Sequence, residues 1–384
     1  MTDQWRTDRH KKLIRPERDS AGCAISGLLN EDGALVDGSV IMRSIENMHE
    51  RANGLGGGFA AYGLYPDYAE HYAFHLMYDD ERSRAETEQF LAVTFDVAQA
   101  EPMPTAHIEL LRQRPLLWRY FLQPKEEVRA RQYDLTDDDI VARCVMHVNA
   151  RIEGAFVFSS GKNMGCFKGV GFPETIGRFF RLEEYQAWMW TAHGRFPTNT
   201  TGWWGGAHPF ALLDWAVVHN GEVSSYGINR RYLANFGYHC TMQTDTEVIA
   251  YLFDLLVRKH GLSVELACKA VAPPLWSEIE CLPPQERELY RALRIVYGGA
   301  LLNGPFSIVV THAGGMIGLN DRIKLRPMVA ARLGRTLYLA SEEAAIRVIC
   351  ADPECLWRPD GGEPVIGRLQ PAAKAAQPRE VTIA

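Results

Sequence analysis

The sequence lacks several features that would place it in a well-marked class. No uninterrupted apolar run approaches the roughly 20 residues that a membrane helix needs. Residues 1–22 are charged and have no apolar centre, so they do not form a secretory signal. The formal net charge of -6 disfavours a nucleic-acid or anionic-membrane partner. We therefore expect a cytoplasmic protein that binds neither membrane nor nucleic acid.

Metal and phosphate motifs are also missing. The 8 cysteines are spread over 384 residues without a Cys-x-x-Cys pair, which gives no support for a zinc site or a cysteine-ligated iron–sulfur cluster. The glycine cluster at Gly54 and 56–58 is followed by no Gly-Lys-Ser/Thr, so a phosphate-binding loop is disfavoured. We predict no metal and no cofactor, and free cysteines in a reducing compartment.

The composition is that of a globular chain, with 47% hydrophobic and 23% charged residues. Residues 1–22 form a polar lead segment, and at Cys23 the sequence turns into an apolar strand. The stretch from about 80 to 150 is richer in charge and predicts a small α+β insert of ferredoxin-like type. Residues 370–384 predict a loose tail. The domain between lead and tail therefore runs over residues 23–369.

Three local predictions concern single elements. Aromatic and apolar residues alternate over Tyr72–Asp79, which predicts a half-exposed strand with His71 and His75 on its other face. Residues 108–120 predict a helix broken by Pro115. The sequence Thr-Asp-Thr-Glu at 244–247 is a capping-box pattern that opens a strongly apolar helix.

The apolar runs at residues 187–192 and 215–218 predict buried strands, and a group of polar residues follows each of them. The first group contains Arg195, whose guanidinium fork suits a carboxylate. The second contains Asn220 and Gly221, whose side-chain amide and backbone N–H suit a developing oxyanion. The alternative is that Asn220-Gly221 is a hairpin turn, since Asn-Gly is the strongest short hairpin signal.

Cys23 stands at the start of a strand, directly after a small residue. If residues 1–22 are removed, the new α-amine, with an ordinary pKa near 8, could take the thiol proton. One residue would then supply both nucleophile and base. The alternative is a buried core cysteine. Asp245 has a plain alternative as well, because an acidic residue in the first helical turn compensates the helix dipole.

The order of these groups resembles the class II glutamine amidotransferases, which are N-terminal-nucleophile hydrolases. The likeness runs from Cys23 to about Leu369 and is nearest to the stand-alone amidotransferase subunits of archaeal-type glutamate synthases and N-methylglutamate synthases. The matching segments are Cys23–Gly27, His193–Thr200, Ala207–Pro209, His219–Val223, Thr244–Glu247, Gly304–Val310 and Gly318–Pro327.

The resemblance implies a role for each matching residue. Cys23 matches the nucleophile that attacks the glutamine side-chain amide, and Arg195 matches the arginine that holds the substrate α-carboxylate. Asn220 and Gly221 match the oxyanion hole. Asp245 matches the carboxylate that holds the α-ammonium group. Glutamine would form a thioester on Cys23 and release ammonia, and water would then free glutamate.

The resemblance also implies a four-layer αββα fold within the α+β class. It implies that ammonia passes to a separate synthase subunit carrying FMN and iron–sulfur clusters, because free ammonia would otherwise be lost to bulk water. This chain has no flavin or iron–sulfur motif of its own, which fits a subunit rather than a complete synthase. Two alternatives stay open. The chain could be a non-catalytic scaffold or regulatory subunit that never unmasks Cys23, or it could hydrolyse another amide.

Overall fold

The computed structural model of the chain describes residues 22–111, 114–196 and 202–370. The predicted lead segment, except for Gly22, and the tail beyond residue 370 lie outside these ranges, as do residues 197–201 of the predicted arginine segment. The strands in chain order are β1 (Ala24–Asn30), β2 (Val36–Asp37), β3 (Gly57–Tyr62), β4 (Tyr72–Tyr78), β5 (Phe95–Pro102), β6 (Leu116–Pro124), β7 (Ala155–Ser159), β8 (Met164–Gly169), β9 (Gln186–Ala187), β10 (Met189–Gly194), β11 (Phe210–Leu212), β12 (Trp215–Gly221), β13 (Phe306–His312), β14 (Gly315–Asn320), β15 (Val329–Leu333), β16 (Thr336–Ala340), β17 (Cys355–Trp357) and β18 (Val365–Arg368).

The α-helices are α1 (Gly38–Glu46), α2 (Glu81–Thr94), α3 (Glu126–Arg131), α4 (Asp137–Arg151), α5 (Pro173–Phe179), α6 (Tyr226–Ala234), α7 (Asp245–Phe253), α8 (Val264–Val271), α9 (Trp276–Ile279), α10 (Pro284–Val296) and α11 (Glu343–Arg347). A π-helical turn, Asp254–Lys259, continues α7. Among the helices of the described ranges, none has the length and apolar character needed to cross a bilayer.

Two antiparallel sheets lie face to face and form the centre of the fold. The larger has the order β17-β15-β16-β1-β10-β3-β8, and the smaller has the order β11-β12-β13-β14-β18. Helices α1 and α5 pack on the larger sheet, and α7 packs on β11 and β12 of the smaller one. These layers run helix, sheet, sheet, helix, so the predicted four-layer αββα arrangement is confirmed.

The alternation of side chains along β1 explains how one strand serves two layers. Ser26 bonds to Ser44 of α1, with 2.6 Å between the two hydroxyl oxygens. The next residue, Gly27, faces the smaller sheet, and a Cβ there would lie 2.8 Å from the sulfur of Met316. A glycine at this position therefore lets the two sheets approach closely.

A third sheet, with the order β5-β6-β4-β7, belongs to the unit Tyr72–Ser159. Its chain order is βαββαβ, with α2 in the first crossover and α3 and α4 in the second. Strand order and chain order together are those of a ferredoxin-like unit. The α+β insert that the fold prediction included is therefore present.

Two local predictions within this unit are wrong. Strand β4 is buried along its whole length, because it is an inner strand of its sheet and both its faces are covered. His75, predicted to lie on an exposed face, has no exposed surface. The helix predicted over residues 108–120 is wrong in the part that follows Pro115, because the apolar run there belongs to strand β6, which pairs with β4 and β5.

Candidate functional site

Cys23 lies immediately before β1, and the register of the larger sheet sets its neighbours. Ala24 is opposite Gly194 of β10, so Cys23 lies beside the chain that continues into Arg195 and Phe196. The backbone N–H of Phe196 donates to Cys23 Sγ at 3.4 Å. Cys23 is partly exposed, whereas Ala24 and Ile25, which follow it, have no exposed surface.

Cys23 and Asn220 point into the same space between the two sheets. Alternation along β1 places Cys23 on the same face as Gly27, which looks towards the smaller sheet. Asn220 shares its face of β12 with Val218, which belongs to the core cluster that also contains residues of the larger sheet. The start of β1 and the end of β12 therefore bring the predicted nucleophile and the predicted oxyanion donor to one end of the sandwich.

Charges of both signs surround the Cys23 thiol. Burial raises its pKa, while the Phe196 N–H and the guanidinium groups of Arg195 and Arg326 oppose that rise. Asp245 acts in the same direction as burial. Burial also lowers the pKa of Arg195, against the attraction of Cys23 and Asp245. Of the predicted side chains, Cys23, Arg195 and Asp245 are thus close enough together to affect one another's ionisation.

The pair Asn220-Gly221 does not form the hairpin turn that was the alternative prediction. Both residues are paired in β12, opposite Ser307 and Phe306 of β13. Gly221 has φ +143°, and a Cβ there would lie 1.9 Å from the carbonyl oxygen of Pro305. Only glycine fits this position, and its conformation turns the backbone at the end of the strand.

Asp245 is the first residue of α7, and its carboxylate is held from several sides. Oδ2 accepts the backbone N–H of Val223 at 2.8 Å, and Oδ1 accepts the Thr246 hydroxyl at 3.2 Å. His219 Nδ1 lies 3.5 Å from Oδ1. Burial alone would raise the pKa of Asp245, but His219 and these hydrogen bonds lower it. A carboxylate oriented in this way suits a cationic group.

The capping box predicted at Thr244 is present only in half. The Thr244 side chain accepts from the Thr246 N–H and caps the helix. Glu247 does not return to Thr244 and instead accepts the N–H groups of Thr241 and Met242, each at 3.0 Å. The glutamate therefore holds the loop that leads into the helix.

The prediction missed several side chains that lie around Cys23. Arg51 Nε donates to the Cys23 carbonyl at 3.3 Å, and its Nη1 pairs with Glu342 at 2.8 Å. A Cβ on Gly22 would lie 3.3 Å from a guanidinium nitrogen of Arg51 and 3.5 Å from one of Arg326. No local pattern marks Arg51 or Glu342, whereas Arg326 lies within a segment that carried the family resemblance.

Three buried histidines form a layer behind these groups. His193 Nε2 donates to the carbonyl of His219 at 2.9 Å, and His208 stacks on His193 with ring centroids 3.9 Å apart. His208 and His219 both contact the Thr246 hydroxyl, at 2.8 and 3.2 Å. Burial lowers the pKa of His193 to about 3, so this ring is neutral at physiological pH. The layer fixes the backbone on which Arg195, Asn220 and Asp245 are carried.

A cavity of about 480 Å³ opens next to the site. Its lining includes Arg326, Ser341 and Glu342, which also surround Cys23 or its immediate neighbours. Within residues 22–111, 114–196 and 202–370, no group of three or more His, Cys, Asp or Glu side chains is arranged to hold a metal ion.

Comparison with known sequences gives the family. A sequence model described as "Glutamine amidotransferases class-II" matches residues 107–352, which is well over half of the chain. The chain belongs to this family. It is an enzyme of the class that takes its nitrogen from the side-chain amide of glutamine. The predicted resemblance to the class II family is thereby confirmed, and the αββα fold agrees with it.

Individual relatives cover the amidotransferase to different extents. An uncharacterized protein of Archaeoglobus fulgidus is 50% identical over 369 residues, which are 95% of this chain and 97% of the relative. The glutamine amidotransferase-like protein GlxB of Rhizobium meliloti is 27% identical over 208 residues, 53% of this chain and 59% of the relative. A glutamine–fructose-6-phosphate aminotransferase of Pseudomonas aeruginosa is 30% identical over 201 residues, 49% of this chain and 30% of the relative. The alignment thus spans less than two thirds of the last two proteins.

Proposed function

We propose that this amidotransferase hydrolyses glutamine through a Cys23 thioester and delivers the ammonia to a partner subunit of glutamate-synthase type. One observation carries the proposal most directly. The Cys23 thiol lies close enough to both Arg195 and Asp245 for each of them to affect its pKa, at the end of the sandwich that also carries Asn220. A free amino acid has a matching pair of charges at its α-carbon.

The roles follow from those charges. Arg195 would hold the α-carboxylate through its fork of N–H donors, and Asp245 would hold the α-ammonium group. The side-chain amide of glutamine would then reach Cys23. Asn220 Nδ2 and the Gly221 N–H would donate to the carbonyl oxygen as it becomes an oxyanion.

The chemistry has two balanced steps. In the first, Cys23 Sγ bonds to the amide carbon, the C–N bond breaks, and the thiol proton leaves on the nitrogen as ammonia. In the second, water adds to the thioester, the C–S bond breaks, and glutamate and the free thiol are released. The base in both steps is the α-amine that removal of residues 1–22 creates on Cys23.

The proposal of a partner subunit rests on the fact that free ammonia is lost to bulk water unless a second active site receives it. We propose a synthase subunit with FMN and iron–sulfur clusters as that partner. Support comes from the likeness to stand-alone amidotransferase subunits. Co-purification from native cells tests it, since the partner would bring flavin and iron–sulfur absorbance with it.

The decisive experiment compares two cysteine variants. Cys23→Ala should abolish ammonia release from glutamine, while the partner still uses added ammonium. Cys281→Ala removes an exposed cysteine and should leave the rate unchanged. Loss of both glutamine and ammonium use in Cys23→Ala would contradict the proposal, because the chain would then do more than supply ammonia.

Intact mass and substrate choice separate the alternatives. A purified chain that keeps residues 1–22 and releases no ammonia would support a scaffold or regulatory subunit. Equal rates on glutamine and asparagine, or on an amide without α-charges, would support hydrolysis of another amide. The proposal predicts loss of the leader and strong preference for glutamine, because Arg195 and Asp245 fix the distance from the α-carbon to the sulfur.

A further inference from the structure

Ser341 follows β16 and is fixed to the strand that begins at the nucleophile. Its backbone N–H donates to the Ile25 carbonyl at 3.0 Å, and its Oγ accepts the Ile25 N–H at 3.1 Å. The side chain is almost fully buried, at 2% exposure. Two hydrogen bonds therefore fix Ser341 to Ile25, a residue of the larger sheet that follows Cys23 by two positions.

The same hydroxyl contacts the smaller sheet. Asn220 Nδ2 lies 3.5 Å from Ser341 Oγ. Hydrogen bonds in active sites are often long without substrate and shorten when it binds. Because Asn220 carries two hydrogens on Nδ2, one can be held by Ser341 while the second is left for a substrate oxygen.

Other neighbours do not provide this restraint. Ser307 and Asn320 lie opposite one another on β13 and β14, in the same row and on the same face as Asn220. Among the described residues, neither the Ser307 hydroxyl nor the Asn320 amide has a hydrogen-bond partner, and the same holds for Asn220 Oδ1. Within this part of the chain, the Ser341 hydroxyl is thus the side-chain contact that directs the Asn220 amide.

We propose that Ser341 is a positioning residue that directs the Asn220 amide towards the oxyanion formed at Cys23. The inference rests on the proposed glutamine hydrolysis and adds a residue to it. An oxyanion donor is effective when it is oriented before the charge develops, because no energy is then spent on turning it during the reaction. Ser341 also links the two sheets at this point, so that nucleophile and donor keep a fixed relation.

The test uses two serine-to-alanine variants of the full chain. Ser341→Ala removes the contact, and Ser307→Ala removes an equally buried hydroxyl beside Asn220. Intact mass first gives the fraction of each protein that has lost its leader, and the rates are expressed per processed chain.

For Ser341→Ala we expect kcat to fall about 10- to 100-fold, less than loss of the Asn220 donor itself would cause. Its KM should stay within about twofold, because substrate binding does not use the contact. Ser307→Ala should match the wild type, and Ser341→Thr, which keeps the hydroxyl, should recover most of the rate.

A second measurement separates orientation of the amide from general damage to the fold. The Cys23 thiol adds to the aldehyde carbon of the γ-aldehyde analogue of glutamate, and the adduct places its oxygen at the oxyanion position. Glutamate itself forms no such adduct. Ser341→Ala should weaken inhibition by the aldehyde about as much as it lowers kcat, and leave inhibition by glutamate unchanged.

Several results would overturn the inference. These are a normal kcat in Ser341→Ala, equal losses in Ser341→Ala and Ser307→Ala, or equal weakening of both inhibitors. An active wild type beside an unaffected Ser341→Ala overturns only this inference. A processed wild type that releases no glutamate overturns the proposed function and this inference with it.

Discussion

At the scale of single residues, the proposed mechanism separates groups that would bind the substrate from groups that would act on the transition state. In that mechanism Arg195 would face a charge that glutamine carries throughout the reaction. Asn220 would face a charge that exists only while the tetrahedral species lasts. Loss of the first contact weakens ground state and transition state alike, and loss of the second slows the chemical step.

Kinetics of two variants should show this division. Arg195→Lys should raise the KM for glutamine about 10- to 100-fold with little change in kcat, because a point charge replaces a fork of donors. Asn220→Ala should lower kcat by about 10²–10³ with a nearly normal KM. Steady-state rates of glutamate formation measure both. Arg178→Lys, at an exposed surface ion pair with Glu46, is the control and should change neither constant. If both variants changed the same constant, the assigned roles would be wrong.

These residues could be predicted as candidates from the sequence because each lies next to a strand that its apolar run indicates. Cys23, Arg195 and Asn220 all lie at strand ends, and the apolar runs beside them could be read locally. Ser341 and Glu342 could not be found in this way. They reach Ile25 and Arg51 across about 300 residues of chain, and no local pattern records such a contact.

At the scale of elements, the first turn of α7 combines a site residue with an ionisable group that is buried. Glu247 is 1% exposed, and its partners include the N–H groups of Thr241 and Met242 and the Tyr251 hydroxyl. Burial raises its pKa to about 7, against these hydrogen bonds and the nearby Lys168. The sequence predicted a capping role for Glu247, because the distant groups that surround the carboxyl leave no trace in the motif.

This pKa has a consequence for stability. Between about pH 4.5 and 7 the folded chain keeps the Glu247 proton while the unfolded chain loses it, so the free energy of unfolding falls as the pH rises. The full effect of this one group is on the order of 3 kcal/mol. Glu247→Gln should remove that part of the pH dependence, as seen in urea unfolding at pH 5 and pH 7.5. Glu278→Gln, at an exposed position of α9, is the control. If the free energy of unfolding changed between pH 5 and pH 7.5 as much in Glu247→Gln as in the wild type, the prediction would be contradicted.

At the scale of the whole molecule, the ferredoxin-like unit and the sandwich share their core. Residues of β4 occur in both hydrophobic clusters, one of which also contains α7 and the other the larger sheet. His75 of β4 connects the two parts through polar contacts. Its Nδ1 donates to the carbonyl of Cys166 in β8 at 2.8 Å, and its Nε2 lies 2.9 Å from the Tyr65 hydroxyl.

The burial of His75 shows the limit of prediction from local pattern. The alternation over residues 72–79 was read correctly as a strand, but the second face of that strand is covered by β8 and by aromatic side chains that are distant in sequence, among them Phe158 and Phe167. Likewise, residues 116–124 are a strand because two partner strands are available. Periodicity identifies the exposed or buried face of an element only when its covering layers are already known.

The junction around His75 should therefore be sensitive to acid. Burial lowers the pKa of His75 to about 3. Its contribution is fully present above about pH 6.5 and is lost as the pH falls towards 3, because the unfolded chain takes up the proton first. This effect on the free energy of unfolding is up to about 5 kcal/mol.

His75→Phe removes the titration and the hydrogen bond that His75 donates to the Cys166 carbonyl. The variant should therefore be less stable than the wild type at pH 7 and lose less stability at pH 4.5. Urea unfolding at the two pH values measures this, with the exposed His107→Phe as a control that should behave like the wild type. Because the two parts share a core, hydrogen exchange of β4 and β8 in His75→Phe should rise together, and a rise confined to β4 would mean that the ferredoxin-like unit unfolds by itself.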